Sequence, residues 1–201
     1  MNTISRRDVI RGVAALLGGA ALSGGDQLLA FSFDEAALAQ ATAKGVGAFS
    51  AADVALLDEI AETILPETST PGAKAAKTGA FMALSVTDVY TAENQSIFRD
   101  GLRKVDEACA SAHGKSFMVA TPAERLTVLQ ALDREQKAAM DARQSSDEPR
   151  HYFRLMKELA LLGYFTSEIG VTKALRYVES PGRFDPCAPH TPGDRSWAGH
   201  A

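Results

Sequence analysis

The most regular feature of the chain is an apolar position every three or four residues, sustained from Ser50 almost to the end. That period belongs to helices with one buried side. Val54, Leu57, Ile60, Ala61 and Ile64 form the first stripe, with Ser50 and Asp53 as its N-terminal cap pair and Pro66 as its stop. A turn-rich connector, "PETSTPGAKAAKTG", leads into a second helix carrying Phe81, Met82, Val86, Val89 and Tyr90. The third stripe is Ile97, Phe98, Leu102, Val105, Ala108, Cys109 and Ala112, closed by Gly114 as a C-cap. "TPAE" at Thr121 is a capping box with proline at the first helical position; the helix it opens aligns Leu126, Leu129 and Leu132 and runs to about Asp141. After the polar "RQSSDEPR", a fifth helix starts near Arg150 with Tyr152, Phe153, Met156, Leu159 and Ala160 turned inward. "GYFTSEIG" interrupts it, and a last helix, about Val171 to Val178, precedes an arm from Pro181 to Ala201 that holds four of the eight prolines. No stretch of alternating β-branched residues is long enough for a strand. The pattern predicts an all-α fold: a single compact domain of five to six helices over residues 40–180, with an extended Pro/Gly-rich C-terminal arm over 181–201.

The first 39 residues read differently. Three arginines (Arg6, Arg7, Arg11) precede a short Gly/Ala/Leu core from Val13 to Leu22 and then small-residue sites, the three parts of an export leader. The pair Arg6 and Arg7 within "SRRDVIRG" marks it as a twin-arginine signal, which addresses chains that cross the membrane already folded. Cleavage is expected after "ALA" ending at Ala39, with Ala30 and Ala43 as alternatives. The apolar core, interrupted by Gly18 and Gly19, is far short of the roughly 20 residues that span a bilayer. Periplasmic localisation follows as an expectation, with membrane association only through a complex or an uncleaved leader.

Composition narrows the classes further. At 201 residues and 46% hydrophobic the chain can build one real core, and a net charge of −4 offers no basic face for nucleic acid or an anionic membrane. "GVG" at Gly45 to Gly47 lacks the third glycine and the preceding strand of a dinucleotide-binding turn, and Gly114-Lys115-Ser116 lacks the upstream glycine of a phosphate loop. His113, His151, His190 and His200 are isolated, so no metal site is expected. Two cysteines in an exported chain suggest one disulfide, Cys109 to Cys187, pinning the arm to the third helix; a reduced, buried Cys109 is the alternative.

"GYFTSEIG" is the densest stretch of chemistry, and it has three readings. Glu168 could serve as a base, although no histidine or second carboxylate lies at a helical spacing to assist Ser167. Thr166 or Ser167 could cap the next helix, with Glu168 in its first turn. The aromatic pair could instead meet a partner, which makes Tyr164, Phe165, Thr166 and Glu168, with Phe184 and Trp197 of the arm, the candidate interface residues.

Three segments, "AETILPETSTPGAKAAKTGAF" (61–81), "LALLGYFTSEIG" (159–170) and "LRYVESPGRFDPC" (175–187), together with the leader, resemble the gluconate 2-dehydrogenase subunit 3 family. The resemblance is weakest between Glu93 and Arg150. It implies a small, non-catalytic subunit of a periplasmic sugar or sugar-acid dehydrogenase, with no cofactor of its own. FAD would reside in a large subunit of the glucose-methanol-choline class, and a multihaem cytochrome c with haem c often takes the electrons. Such a small subunit would escort the folded, leaderless large subunit through export and stabilise it. Alternatives are a chaperone that leaves after export, or a stand-alone enzyme using Glu168.

Overall fold

Helix α1, Ala51–Ile64, begins where the sequence supplies its own cap: the Ser50 hydroxyl accepts the Asp53 N–H at 3.2 Å, and the Asp53 carboxylate accepts the Ser50 N–H at 2.9 Å. The computed structural model describes residues 45–145, 148–180, 182, 187, 189 and 191–198. Arg6, Arg7, the cleavage sites and Phe184 lie outside the described residues. Val54, Leu57, Ile60 and Ala61 turn inward, and the helix ends at Leu65, ahead of the proline that cannot continue it.

Helix α2, Thr78–Val89, has no side-chain cap of its own. It buries Met82, Ala83 and Val86, and Phe81 and Tyr90 pack against the core, but Val89 of the expected stripe is 77% exposed at the last turn. Helix α3, Ala92–His113, is capped by Thr91 and ends at Gly114, whose φ of 68° is a left-handed conformation that glycine adopts without steric penalty. Helix α4, Pro122–Asp141, has the capping box expected of Thr121 and Glu124. Its buried face is Val128, Leu129, Leu132 and Gln136; Leu126 is exposed because a strict spacing of three drifts about 60° per step away from a 3.6-residue period.

Helix α5, Tyr152–Phe165, is the axis of the bundle and touches all four other helices of the described residues. Eight of its fourteen residues are buried, as a helix surrounded by others requires. The fold is all-α among the described residues, with two isolated backbone bridges, Val46 to Phe49 and Arg176 to Trp197.

The last expected helix is shorter than its pattern suggested. A π-helical turn, Gly170–Ala174, replaces an α-helix over Val171 to Val178, and Leu175 is already extended. The reason lies at Arg176, whose N–H donates to Ser196 O and whose carbonyl accepts from the Ala198 N–H, each at 2.8 Å. Pairing with the returning arm takes the backbone groups that helix continuation would need.

The bundle has two distinct ends. At one, residues 45–50 meet the α2–α3 link: the Ala48 N–H donates to Thr87 Oγ1 at 3.1 Å, and Phe49 packs edge-on to Phe98 at 6.0 Å. The connector 65–77, the turn 114–121, the end of α5 and the π-helical turn gather at the other. There Arg125 pairs with Glu59 and the Tyr164 phenol donates to Pro71 O at 2.7 Å.

Candidate functional site

The second end is where the recognisable segments converge, and it is built on one polar face of α1. Asp58 and Glu62 lie one turn apart, with Glu59 beside them. Glu62 accepts the N–H groups of Glu67 and Lys74, both at 2.8 Å, and so folds the connector back on the helix. Asp58 accepts the Gly79 N–H at 2.8 Å, capping α2 from a neighbouring element. Glu59 sits between Lys74 and Arg125.

These carboxyls are perturbed in opposite directions. Burial pushes the Asp58 carboxyl up, only partly offset by its hydrogen bond from Gly79 and the nearby Lys74 charge. Burial also opposes the charge on Glu59, but Lys74 and Arg125 outweigh it and hold that carboxyl below its usual range. Glu124 is held down to about 2 by the Thr121 N–H, Lys115 and the Thr121 hydroxyl, and Asp133 is lowered by Lys157.

A depressed carboxyl contributes stability that is complete above its unfolded value and lost as pH falls through its folded one. Glu59, Glu124 and Asp133 all have this sign, whereas Asp58 has the reverse. Stability is therefore expected to fall as pH drops from 4.5 to about 2, the window that Glu124 spans. Urea midpoints measured across that range check it; the slope should flatten in Glu124→Gln, and a flat wild-type profile contradicts it.

"GYFTSEIG" packs directly on this frame. Tyr164 is buried, and its phenol is spent on Pro71 O. That corrects its expected role as an interface anchor. Gly163 lies against the Phe81 ring, where a Cβ would come within 2.5 Å of Cδ1. The Ser167 hydroxyl donates to Tyr164 O at 2.6 Å and accepts the Gly170 N–H at 3.0 Å, so the capping reading of Ser167 describes the geometry. The Thr166 hydroxyl donates back to Leu162 O at 2.7 Å. Phe165 and Glu168 are exposed, and no described residue hydrogen-bonds the Glu168 carboxylate. Nothing in the described geometry makes Glu168 part of a catalytic pair.

The disulfide expectation is corrected as well. No bridge joins Cys109 to Cys187: Cys109 is fully buried in the stripe of α3, and Cys187 is exposed on the arm. Burial, then Asp106 and Glu124, push the Cys109 thiol up, away from the reactive thiolate. Trp197 is exposed on one side, with the Arg176 guanidinium 4.4 Å over its ring.

Two open grooves lie along the sides of the bundle, the first reaching Ser116 in the turn 114–121. One, of about 560 Å³, is lined by Phe49, Asp53, Arg99, Arg103, Asp106 and Glu107; the other, of about 640 Å³, by Lys104, Glu135, Arg150, His151 and Tyr152. In the second, His151 Nδ1 accepts the Phe153 N–H at 3.2 Å as the cap of α5, which leaves Nε2 to donate to Glu135 at 3.3 Å. The pairing of His151 with Glu135 was invisible at a separation of sixteen residues, and it holds α5 to α4. Among the described residues no group of three metal-ligating side chains converges, and no helix is long and apolar enough to cross a membrane.

No curated protein and no solved structure matches the chain. The model of one family, gluconate 2-dehydrogenase subunit 3, matches residues 51–182, which takes in all five helices, the connector and the π-helical turn. The chain belongs to the gluconate 2-dehydrogenase subunit 3 family.

Proposed function

We propose that this chain is the non-catalytic small subunit of a periplasmic FAD-dependent sugar or sugar-acid dehydrogenase. It escorts the folded catalytic subunit through twin-arginine export and then stays with it. Membership of a family of dehydrogenase subunits carries the reading. Supporting it, Tyr164 and Ser167 of "GYFTSEIG" and the acidic face of α1 are engaged in holding the connector and the end of α5. Among the described residues no strand carries a dinucleotide-binding turn, so this reading assigns the flavin to the partner. FAD belongs to the catalytic partner, and haem c, where present, to a cytochrome subunit.

The escort role is tested by co-producing the full chain with its proposed flavoprotein partner and assaying dehydrogenase activity in the periplasmic fraction. Arg6→Lys with Arg7→Lys is expected to lower that activity at least about tenfold while whole-cell activity persists, because the address is read by a receptor rather than by the fold. Unchanged periplasmic activity sinks the escort role. A chain that reaches the periplasm but never co-purifies with the active flavoprotein points instead to a transient chaperone.

A further inference from the structure

We infer that the end of the bundle formed by the turn 114–121, the C-terminus of α5 and the base of the arm is the face that docks the dehydrogenase subunit. This rests on the proposed subunit role and adds the location of the contact. Among the described residues, exposed large apolar side chains are distributed unevenly. Met118, Val119 and Leu126 surround the start of α4, Leu162 and Phe165 lie on the last turn of α5, and Tyr177, Val178 and Trp197 sit on the arm. Of the remaining two, Leu84 lies within α2 and Val89 at the opposite end.

The order of the helices puts these residues at the same end of the bundle in two groups, each held there by its own contacts. Arg125, next to Leu126, donates to Met118 O at 2.7 Å and pairs with Glu59 of α1. Tyr164, next to Phe165, reaches Pro71 in the connector that leaves α1. The arm returns to the same place, Arg195 donating to Lys173 O at 2.6 Å and Arg176 bridging to Trp197.

Several charges at this end are turned to internal use, while the Glu168 carboxylate stays exposed. Glu59 is occupied by Lys74 and Arg125, Glu124 by Lys115 and its own cap, and Glu62 and Asp58 by backbone N–H groups. What remains to offer a partner is largely apolar. Val119 is 72% exposed, Trp197 57% and Leu162 52%. With aromatic side chains of roughly 150–250 Å² each, the eight residues expose on the order of 800 Å². A stable complex buries roughly 800 Å² per partner, an area these side chains together can supply. The occupant is the dehydrogenase subunit because the chain belongs to a family of its subunits and the segments quoted for the family, 61–81 and 159–170, meet at this end.

The experiment uses the full chain co-produced with the tagged flavoprotein subunit proposed as its partner, captured from whole-cell lysate so that export does not enter. Val119→Glu, Leu162→Glu and Trp197→Glu are compared with Val89→Glu at the opposite end, and the melting curve of each variant alone confirms that it folds. Each of the first three is expected to weaken retention at least about tenfold, as loss of a central apolar anchor does, while Val89→Glu binds like wild type. If Val89→Glu loses binding and the three do not, the assigned face is wrong and the subunit role stands. If the wild-type chain is not retained at all, the subunit role falls and this inference with it. If the chain alone sediments as a dimer that Val119→Glu makes monomeric, the face belongs to a second copy and the inference is overturned.

Discussion

Replacing Gly170 with alanine is expected to destabilise the chain by about 3 kcal/mol, at the upper end of what overpacking costs. A Cβ at this position would stand 1.9 Å from the Tyr164 carbonyl oxygen and 2.8 Å from its carbonyl carbon. Both are backbone atoms, so no side-chain rotation relieves the clash. Either the last turn of α5 or the π-helical turn must move. That movement strains the Ser167 hydroxyl, which bonds Tyr164 O and the Gly170 N–H, and the Tyr164 phenol at Pro71. Gly163→Ala is the informative comparison, because its new methyl meets the Phe81 ring, a side chain able to turn. A loss of about 1 kcal/mol is expected there. Urea unfolding at constant slope measures both, and equal midpoints for Gly170→Ala and wild type would rule out the close approach of these two segments.

Arg125→Ala is expected to be comparably damaging, again about 3 kcal/mol, because it strips one partner from a mostly buried ion pair and two carbonyls at once. Arg125 and Glu59 are 14% and 16% exposed. The same guanidinium donates to Phe117 O at 2.8 Å and Met118 O at 2.7 Å and lies 5.6 Å over the Phe117 ring. Lysine carries the charge but not the planar fork, so Arg125→Lys should recover less than half of the loss. Lys74→Ala removes the other cation on Glu59, which is 54% exposed, and is expected to change stability by under about 1 kcal/mol. If Lys74→Ala and Arg125→Ala matched, the argument from burial would fail.

These two sites mark where reading the sequence stopped. Ser50 with Asp53, Thr121 with Glu124, and Gly114 are local devices acting across four residues or fewer, and each performs the expected role. Helical stripes are local as well, which is why the all-α class and the inward faces of α3 and α5 were legible. The Arg125–Glu59 pair joins residues 66 apart and the Tyr164–Pro71 bond residues 93 apart. No period or motif encodes such pairings. The same limit explains the errors. Tyr164 looked like a partner contact because its internal acceptor was a distant carbonyl, and Val171 to Val178 looked helical because the strand-like partner at Ser196 to Ala198 was unknown.

Arg176 and Trp197 close the twenty residues between them into a loop anchored at both ends. The entropy of closing such a loop grows only with the logarithm of its length, so doubling it would cost about 0.6 kcal/mol. Descendants of this chain can therefore lengthen or shorten the arm between its two anchors almost without penalty to the bundle. Length variation among relatives should collect there, leaving the arm to diverge with the enzyme it accompanies.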